Sequence, residues 1–177
     1  MRWDDLVRQA PELGRVAYER LIAPGVLLVV TLRRDGTPRL SPVEPLILDG
    51  DLWLSMMWQS RKATDLRRDD RVLVHSIVTS REGSDGEVKI RGQAVSVDDP
   101  GARARYCDAV SALGWRPEEP YFHLFRVEIL DVTFIRYAPN GDQFGSFWPS
   151  GVEFVRRATS PTSVGPPEPA PDLFASE

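Results

Sequence analysis

Val26-Leu27-Leu28-Val29-Val30-Thr31-Leu32, then Asp35-Gly36, then residues 39–48 form the segment from which the rest of the chain is read. The first run is nearly continuous and rich in β-branched residues, as a strand buried on both faces is. Asp-Gly marks a tight hairpin, because its backbone twist suits two flanking strands. The returning strand holds Pro42 and Pro45. Proline has no N–H for a ladder, so this strand belongs at an edge or a bulge.

Working outward, Asp4 is placed to cap a short helical stretch. Pro11 starts a second one, which carries Leu13, Ala17 and Leu21 towards a core until Pro24-Gly25 ends it. Downstream, Asp49-Gly50-Asp51 turns into a strand at 52–57, and Ser60 caps a short helix at 60–68. Further strands are expected at 71–78, 87–97, 123–137, 143–148 and 151–157, with a helix from Asp99 to about Leu113. Short strands joined by tight turns predict a mainly β fold with peripheral helices: a small antiparallel barrel of roughly seven strands, rather than an alternating α/β sheet. From Ala158 onward Pro mixes with Ser, Thr and Glu, a composition that does not offset its ordering entropy. The expected organisation is an N-terminal helical segment at 1–24, a barrel domain at 25–157 and a flexible Pro-rich tail at 158–177, with Leu173-Phe174 in its mobile end.

The chain has 177 residues, with 22 Lys+Arg against 26 Asp+Glu and a net charge of −4. That is one domain with a sizeable core and no bulk electrostatic reason to bind nucleic acid. Cys107 is the single cysteine, so no internal disulfide forms, and His75 and His123 alone make a His-ligated zinc site improbable. No metal ligands are assigned. The apolar stretch at 22–32 falls short of the roughly 20 residues that span a bilayer, and Met1-Arg2-Trp3-Asp4-Asp5 opens no apolar leader. A cytoplasmic location with no membrane partner is expected.

No Gly-x-Ser-x-Gly elbow, Walker loop or Gly-x-Gly-x-x-Gly turn is present, so a bound cofactor is the natural source of any chemistry. The informative segment is Trp58-Gln59-Ser60-Arg61-Lys62-Ala63. Helix-start N–H groups, a hydroxyl and two cations converging on one point make a phosphate site. Cations at a helix N-terminus are mildly unfavourable for the helix itself, which points to a ligand. The residues alone fit equally well a capped surface helix whose solvated basic face continues through Arg67 and Arg68. Trp58 is the best ring-stacking candidate, while Trp53, Trp115 and Trp148 suit core or interface. His123 is the histidine expected to face a groove.

The segments 31–42, 52–55 and 60–72, with 88–94 and the late strand 125–136, resemble in order and spacing the pyridoxamine 5′-phosphate oxidase-like superfamily of split-barrel flavin and deazaflavin oxidoreductases. The resemblance implies a six-stranded antiparallel split β-barrel of the FMN-binding type that forms a homodimer, with the cofactor at the subunit interface. By position it assigns the cofactor phosphate to Ser60, Arg61 and Lys62, with Arg39 as a further cation. Ser41, Pro42 and Val43 would lie along the ring or ribityl chain, and Ser55, Met56 and Met57 would line the same groove. The implied cofactor is FMN or the deazaflavin coenzyme F-420, acting by hydride transfer on a small molecule. For the tail of coenzyme F-420, Arg33, Arg34, Arg67 and Arg68 are the available cations. Glu87 and the stretch 140–146 depart from true pyridoxamine phosphate oxidases, so vitamin B6 oxidation is not the expected reaction. A non-catalytic barrel that binds FMN, or haem through His75 or His123, is the alternative.

Overall fold

The computed structural model describes residues 1–170 and 173–174. Among the described residues there are ten strands and four α-helices. In chain order these are α1 (Trp3–Gln9), α2 (Pro11–Ala17), β1 (Leu27–Leu32), β2 (Pro38–Val43), β3 (Pro45–Leu48), β4 (Asp51–Met57) and α3 (Arg61–Arg68). They continue as β5 (Arg71–His75), β6 (Glu87–Ser96), α4 (Pro100–Ser111), β7 (Phe122–Tyr137), β8 (Gln143–Trp148), β9 (Val152–Ser160) and β10 (Ser163–Pro169). A π-helical turn, Tyr18–Ile22, extends α2. Among the described residues no helix is long and apolar enough to cross a membrane.

Six strands pair in the order β2-β1-β5-β6-β7-β4, and all their ladders are antiparallel. β2 and β4 are not hydrogen-bonded to each other, so the barrel is split between them. α3 packs at that opening, against β1 and β4, with Ala63 and Leu66 buried. The expected split barrel is therefore present. It has more strands than the sequence showed, because the proline-bearing segment divides at Glu44 into β2 and β3, and because β8–β9–β10 run on as a meander.

β7 carries the architecture. Its first half, from Phe122 to Val127, pairs with β4, and its second half, from Val132 to Tyr137, pairs with β8. β6 follows it along both halves, and the register slips once, between Arg91↔Asp131 and Gly92↔Ile129. Leu130 is the extra residue of this β-bulge, which bends the strand from one sheet into the next.

The core is filled from every layer. Leu6, Leu13 and Leu21 of the N-terminal helical segment share it with Leu27, Leu54, Ile90 and Phe125 of the barrel. Trp148 closes one end, its Nε1 donating to Gln9 Oε1 at 3.3 Å. β1 is buried on alternate residues only. Leu27, Val29 and Thr31 point inward, whereas Leu28, Val30 and Leu32 are half-buried on the outer face.

Residues 158–170 correct the expectation of a flexible tail. β10 pairs with β9, Leu173 is buried in the core, and Phe174 stacks on Phe134 at 5.7 Å between ring centroids. β10 is the last strand of the sheet, where proline sacrifices no ladder bond that a neighbour needs. Composition averaged over the segment hid two apolar residues that find a place at the barrel end. The rest of that expectation, at 171–172 and 175–177, lies outside the described residues.

A Cβ at Gly92 would stand 2.6 Å from the Glu128 carbonyl oxygen. Gly92→Ala should therefore cost roughly 1–3 kcal/mol in urea unfolding, the usual range for overpacking. An unchanged midpoint would show that the bulge relaxes freely.

Candidate functional site

β4 ends at Met57, and the chain reverses through Trp58 and Gln59 into α3, with Ser60 N donating to Met57 O at 3.0 Å. Gln59 takes a left-handed backbone, with φ of 54°, which is costly for a residue with a Cβ. Its N–H donates to His123 Nε2 at 3.2 Å, and the Trp58 ring stacks on His123 at 4.7 Å with 14° between planes. Tyr121 meets Trp58 edge-on. His123 is buried, and its imidazolium is disfavoured first by that burial and then by Arg67 and Arg103, with Asp98 opposing. A neutral ring that accepts at Nε2 is what the corner requires.

Ser60 occupies the N-cap position of α3, yet its side chain caps nothing. The Oγ atom is buried and has no hydrogen-bond partner. A hydroxyl taken out of water without a partner is costly, and this one is free to bond a group placed at the helix start. Around it the first turn of α3 carries Arg61 and Lys62 and no acidic residue. Arg61 is exposed and makes no hydrogen bond or ion pair among the described residues. Lys62 Nζ donates to the Pro42 carbonyl at 2.8 Å. Burial lowers the pKa of this ammonium, while the Glu44 charge acts the other way.

Arg39 does not stand free as the expected additional phosphate cation. Its Nε donates to Asp65 Oδ2 at 2.7 Å, and the same oxygen accepts from Thr31 Oγ1 at 3.0 Å. Arg68 lies 3.4 Å from the other oxygen and also donates to the Leu32 carbonyl. Asp65 thus ties α3 to β1 and β2. Burial pushes its carboxyl upward, but the bonds from Arg39 and Thr31 more than offset this and hold it below the ordinary 3.8.

The structure brings Ser60, Arg61, Lys62 and the Pro42 backbone together, with Arg39 and Ser41 on the inward side of β2 beside them and Val43 buried in the core. The Ser55, Met56 and Met57 trio does not share one groove. Met56 is buried in the core, whereas Ser55 is half-buried and Met57 is 81% exposed. Successive strand residues point to opposite faces, so three in a row never line one surface. Trp58 is half-exposed at the mouth of the site. Asp65, Thr31 and Glu44 were not singled out in the sequence. A Thr inside the apolar run of β1 and an Asp between Ala63 and Leu66 were the available signals.

Residues 16–136 match the family described as pyridoxamine 5′-phosphate oxidase. No curated protein matches the chain. Among solved structures, a haem-binding protein from Mycobacterium smegmatis is 24% identical with a TM-score of 0.52, over 67% of this chain and 52% of that one. The chain thus spans about half the length of that protein. General stress protein 26 from Bacillus anthracis is 18% identical with a TM-score of 0.53, over 70% and 91% of the two chains. A Clostridium acetobutylicum protein of the pyridoxinephosphate oxidase family, related to general stress protein 26, is 14% identical with a TM-score of 0.54, over 82% and 94%. At these identities the likeness is one of fold.

The lowered pKa of Asp65 gives its contribution to stability a sign. That contribution is complete above about pH 4, the unfolded carboxyl's range, and is lost as pH falls through the lower folded value. Asp65→Asn should be less stable than the natural chain at pH 7 by roughly 2 kcal/mol. The difference should shrink in urea unfolding as pH drops from about 4 to 2. A constant difference across that range would mean that the charge of Asp65 is not what holds α3.

Proposed function

Since the chain belongs to the pyridoxamine 5′-phosphate oxidase family, we propose that it is a flavin-type oxidoreductase that binds FMN or the deazaflavin coenzyme F-420 at the start of α3. The observation that carries this reading is the buried, unpartnered Ser60 Oγ beside Arg61 and Lys62. In this reading Ser60 donates to a phosphate oxygen, the first-turn N–H groups of α3 face it, and Arg61 and Lys62 neutralise its charge. Lys62 is held in place by the Pro42 carbonyl, which reduces the freedom it would lose on binding. Trp58, fixed from below by His123, offers its exposed face to a planar ring. Ser41 of β2 is half-buried beside Pro42 and within the stretch where the ring or its ribityl chain would lie, whereas Val43 is taken up by the core. When bound, the ring supplies hydride transfer, and the protein binds and orients it and limits its access to water.

For the haem alternative His123 finds less support than His75. His123 Nε2 already accepts from Gln59 N, and His75 Nδ1 lies 2.6 Å from the Ser76 carbonyl with its other nitrogen 3.5 Å from Glu87. His123 is engaged at Nε2 and its ring is stacked on Trp58, so it is committed to the corner before α3.

A homodimer is part of the proposal. Leu28, Val30 and Leu32 leave the outer face of β1 half-buried, and Leu40 and Leu130 are 61% and 47% exposed. Val30, Leu32, Leu73 and Leu130 line a groove of about 300 Å³ rimmed by Arg71 and Arg91. A second copy of the chain would cover this apolar face.

Fluorescence titration of the purified protein with FMN and with coenzyme F-420 tests the reading. Binding at micromolar concentration or tighter is expected for at least one, weakened about tenfold or more in Ser60→Ala and in Arg61→Ala/Lys62→Ala. If neither cofactor binds, the oxidoreductase reading fails. If one binds but no reductant or substrate bleaches it, a storage or sensing role replaces catalysis. Sedimentation should find a dimer that Leu130→Asp dissociates to folded monomers. A monomeric natural chain would remove the interface from the proposal.

A further inference from the structure

We propose that the turn at residues 57–60 is a proton-driven switch: neutral His123 holds the Trp58–Gln59 peptide in one orientation, and a proton on its Nε2 flips that peptide over. The step is an exchange of hydrogen-bond partners within the chain.

The Ser60 N–H donates to the Met57 carbonyl at 3.0 Å, which closes these four residues into a β-turn. Gln59, in its third place, has φ of 54°, while Trp58 is not among the residues of positive φ. That combination is the type II turn, which favours glycine in the third place. A glutamine is held there by the 3.2 Å bond from its N–H to His123 Nε2. Type I and type II turns share the closing bond and differ by a half-turn of the central peptide. In the type I form Gln59 would have φ of about −90° and leave the left-handed region.

Accepting at Nε2 requires a neutral ring with its proton on Nδ1. Burial disfavours the imidazolium first, then Arg67 of α3 and Arg103 of α4, and Asp98 opposes them. Arg103 is itself paired with Glu119 at 2.8 Å, and Tyr121, edge-on to Trp58, is a further titratable side chain beside the ring. The bonded turn is therefore the form present at neutral pH. A proton on Nε2 sets two donors against each other across 3.2 Å. The half-turn removes that clash, since it presents the Trp58 carbonyl to Nε2–H and relieves the backbone of Gln59. The ring itself need not move, because an imidazolium is attracted to the face of an indole. Trp58 and Gln59 are exposed, so the outer side of the turn, at the head of α3, exchanges a carbonyl acceptor for an N–H donor.

Comparing Gln59→Gly with Gln59→Ala separates a flip from simple protonation. Glycine takes a positive φ freely, so it favours the bonded turn over the flipped one. NMR titration follows both histidine rings, with His75→Gln for assignment. If protonation flips the peptide, His123 should titrate roughly 0.5–1 pH unit lower in the glycine variant than in the alanine variant. Across the same titration of the natural chain, the strong contact between Trp58 Hα and Gln59 HN should give way to one between the two amide protons. Equal titration of His123 in the two variants overturns the proposal, and so does a contact pattern that stays constant. His123→Phe keeps a ring on Trp58 without an acceptor, so at about pH 7 it should already show the flipped pattern. A type II turn in that variant overturns the proposal too, and this arm is readable even if acid unfolds the natural chain. No readout involves FMN or coenzyme F-420, so the switch and the cofactor reading fail separately.

Discussion

One strand has to satisfy two sheets, and the rest of the molecule is arranged around that demand. β7 gives its first half to β4 and its second half to β8, while β6 follows both. A strand cannot turn between two partners without breaking its register, and the bulge at Leu130 is where this one does so. Gly92 faces the Glu128 carbonyl there, at an approach no side chain allows. Because β7 carries β4 to one side, β4 stays unpaired with β2 and the barrel remains open between them. The opening is where α3 sits and where the candidate site lies.

The site is built from the consequences of that opening. α3 is secured by a buried carboxylate rather than by its cap: Asp65 joins β1 through Thr31 and β2 through Arg39. This frees the N-cap side chain, and Ser60 is left with a buried hydroxyl facing no partner. His123 performs the matching task from β7, holding the Gln59 N–H and the Trp58 ring. The end of the helix is thus fixed from both sides, while its first turn still faces outward. A pre-organised anion site costs little rearrangement on binding, and strain at Gln59 fits a corner held for function rather than for stability.

Much of the fold was legible because its signals are local. Asp35-Gly36, Asp49-Gly50 and Asn140-Gly141 mark turns by backbone requirement alone, and Pro11 begins α2 where its missing N–H is harmless. The place of Ser60 at the head of α3 was legible for the same reason. Position along the chain does not place Ser55, Met56 and Met57 on one surface, because the alternation of a strand sends Met56 into the core and its neighbours the other way. The C-terminal hairpin was missed because proline content describes an average. Leu173 and Phe174 are particular residues meeting a particular gap beside Phe134.

What the chain establishes when read alone is its inventory and its punctuation: many short strands, the turns between them, and a helix start bearing a hydroxyl and two cations. These follow from composition and from backbone preferences that act within a few residues. Which cations remain free is another matter. Arg39 meets Asp65 across 26 residues, Gln59 meets His123 across 64, and Lys62 meets the Pro42 carbonyl across 20. Such pairings depend on distances in space, and electrostatic energy follows those distances rather than separation along the chain. The charge that the site offers a ligand is therefore a property of the folded protein.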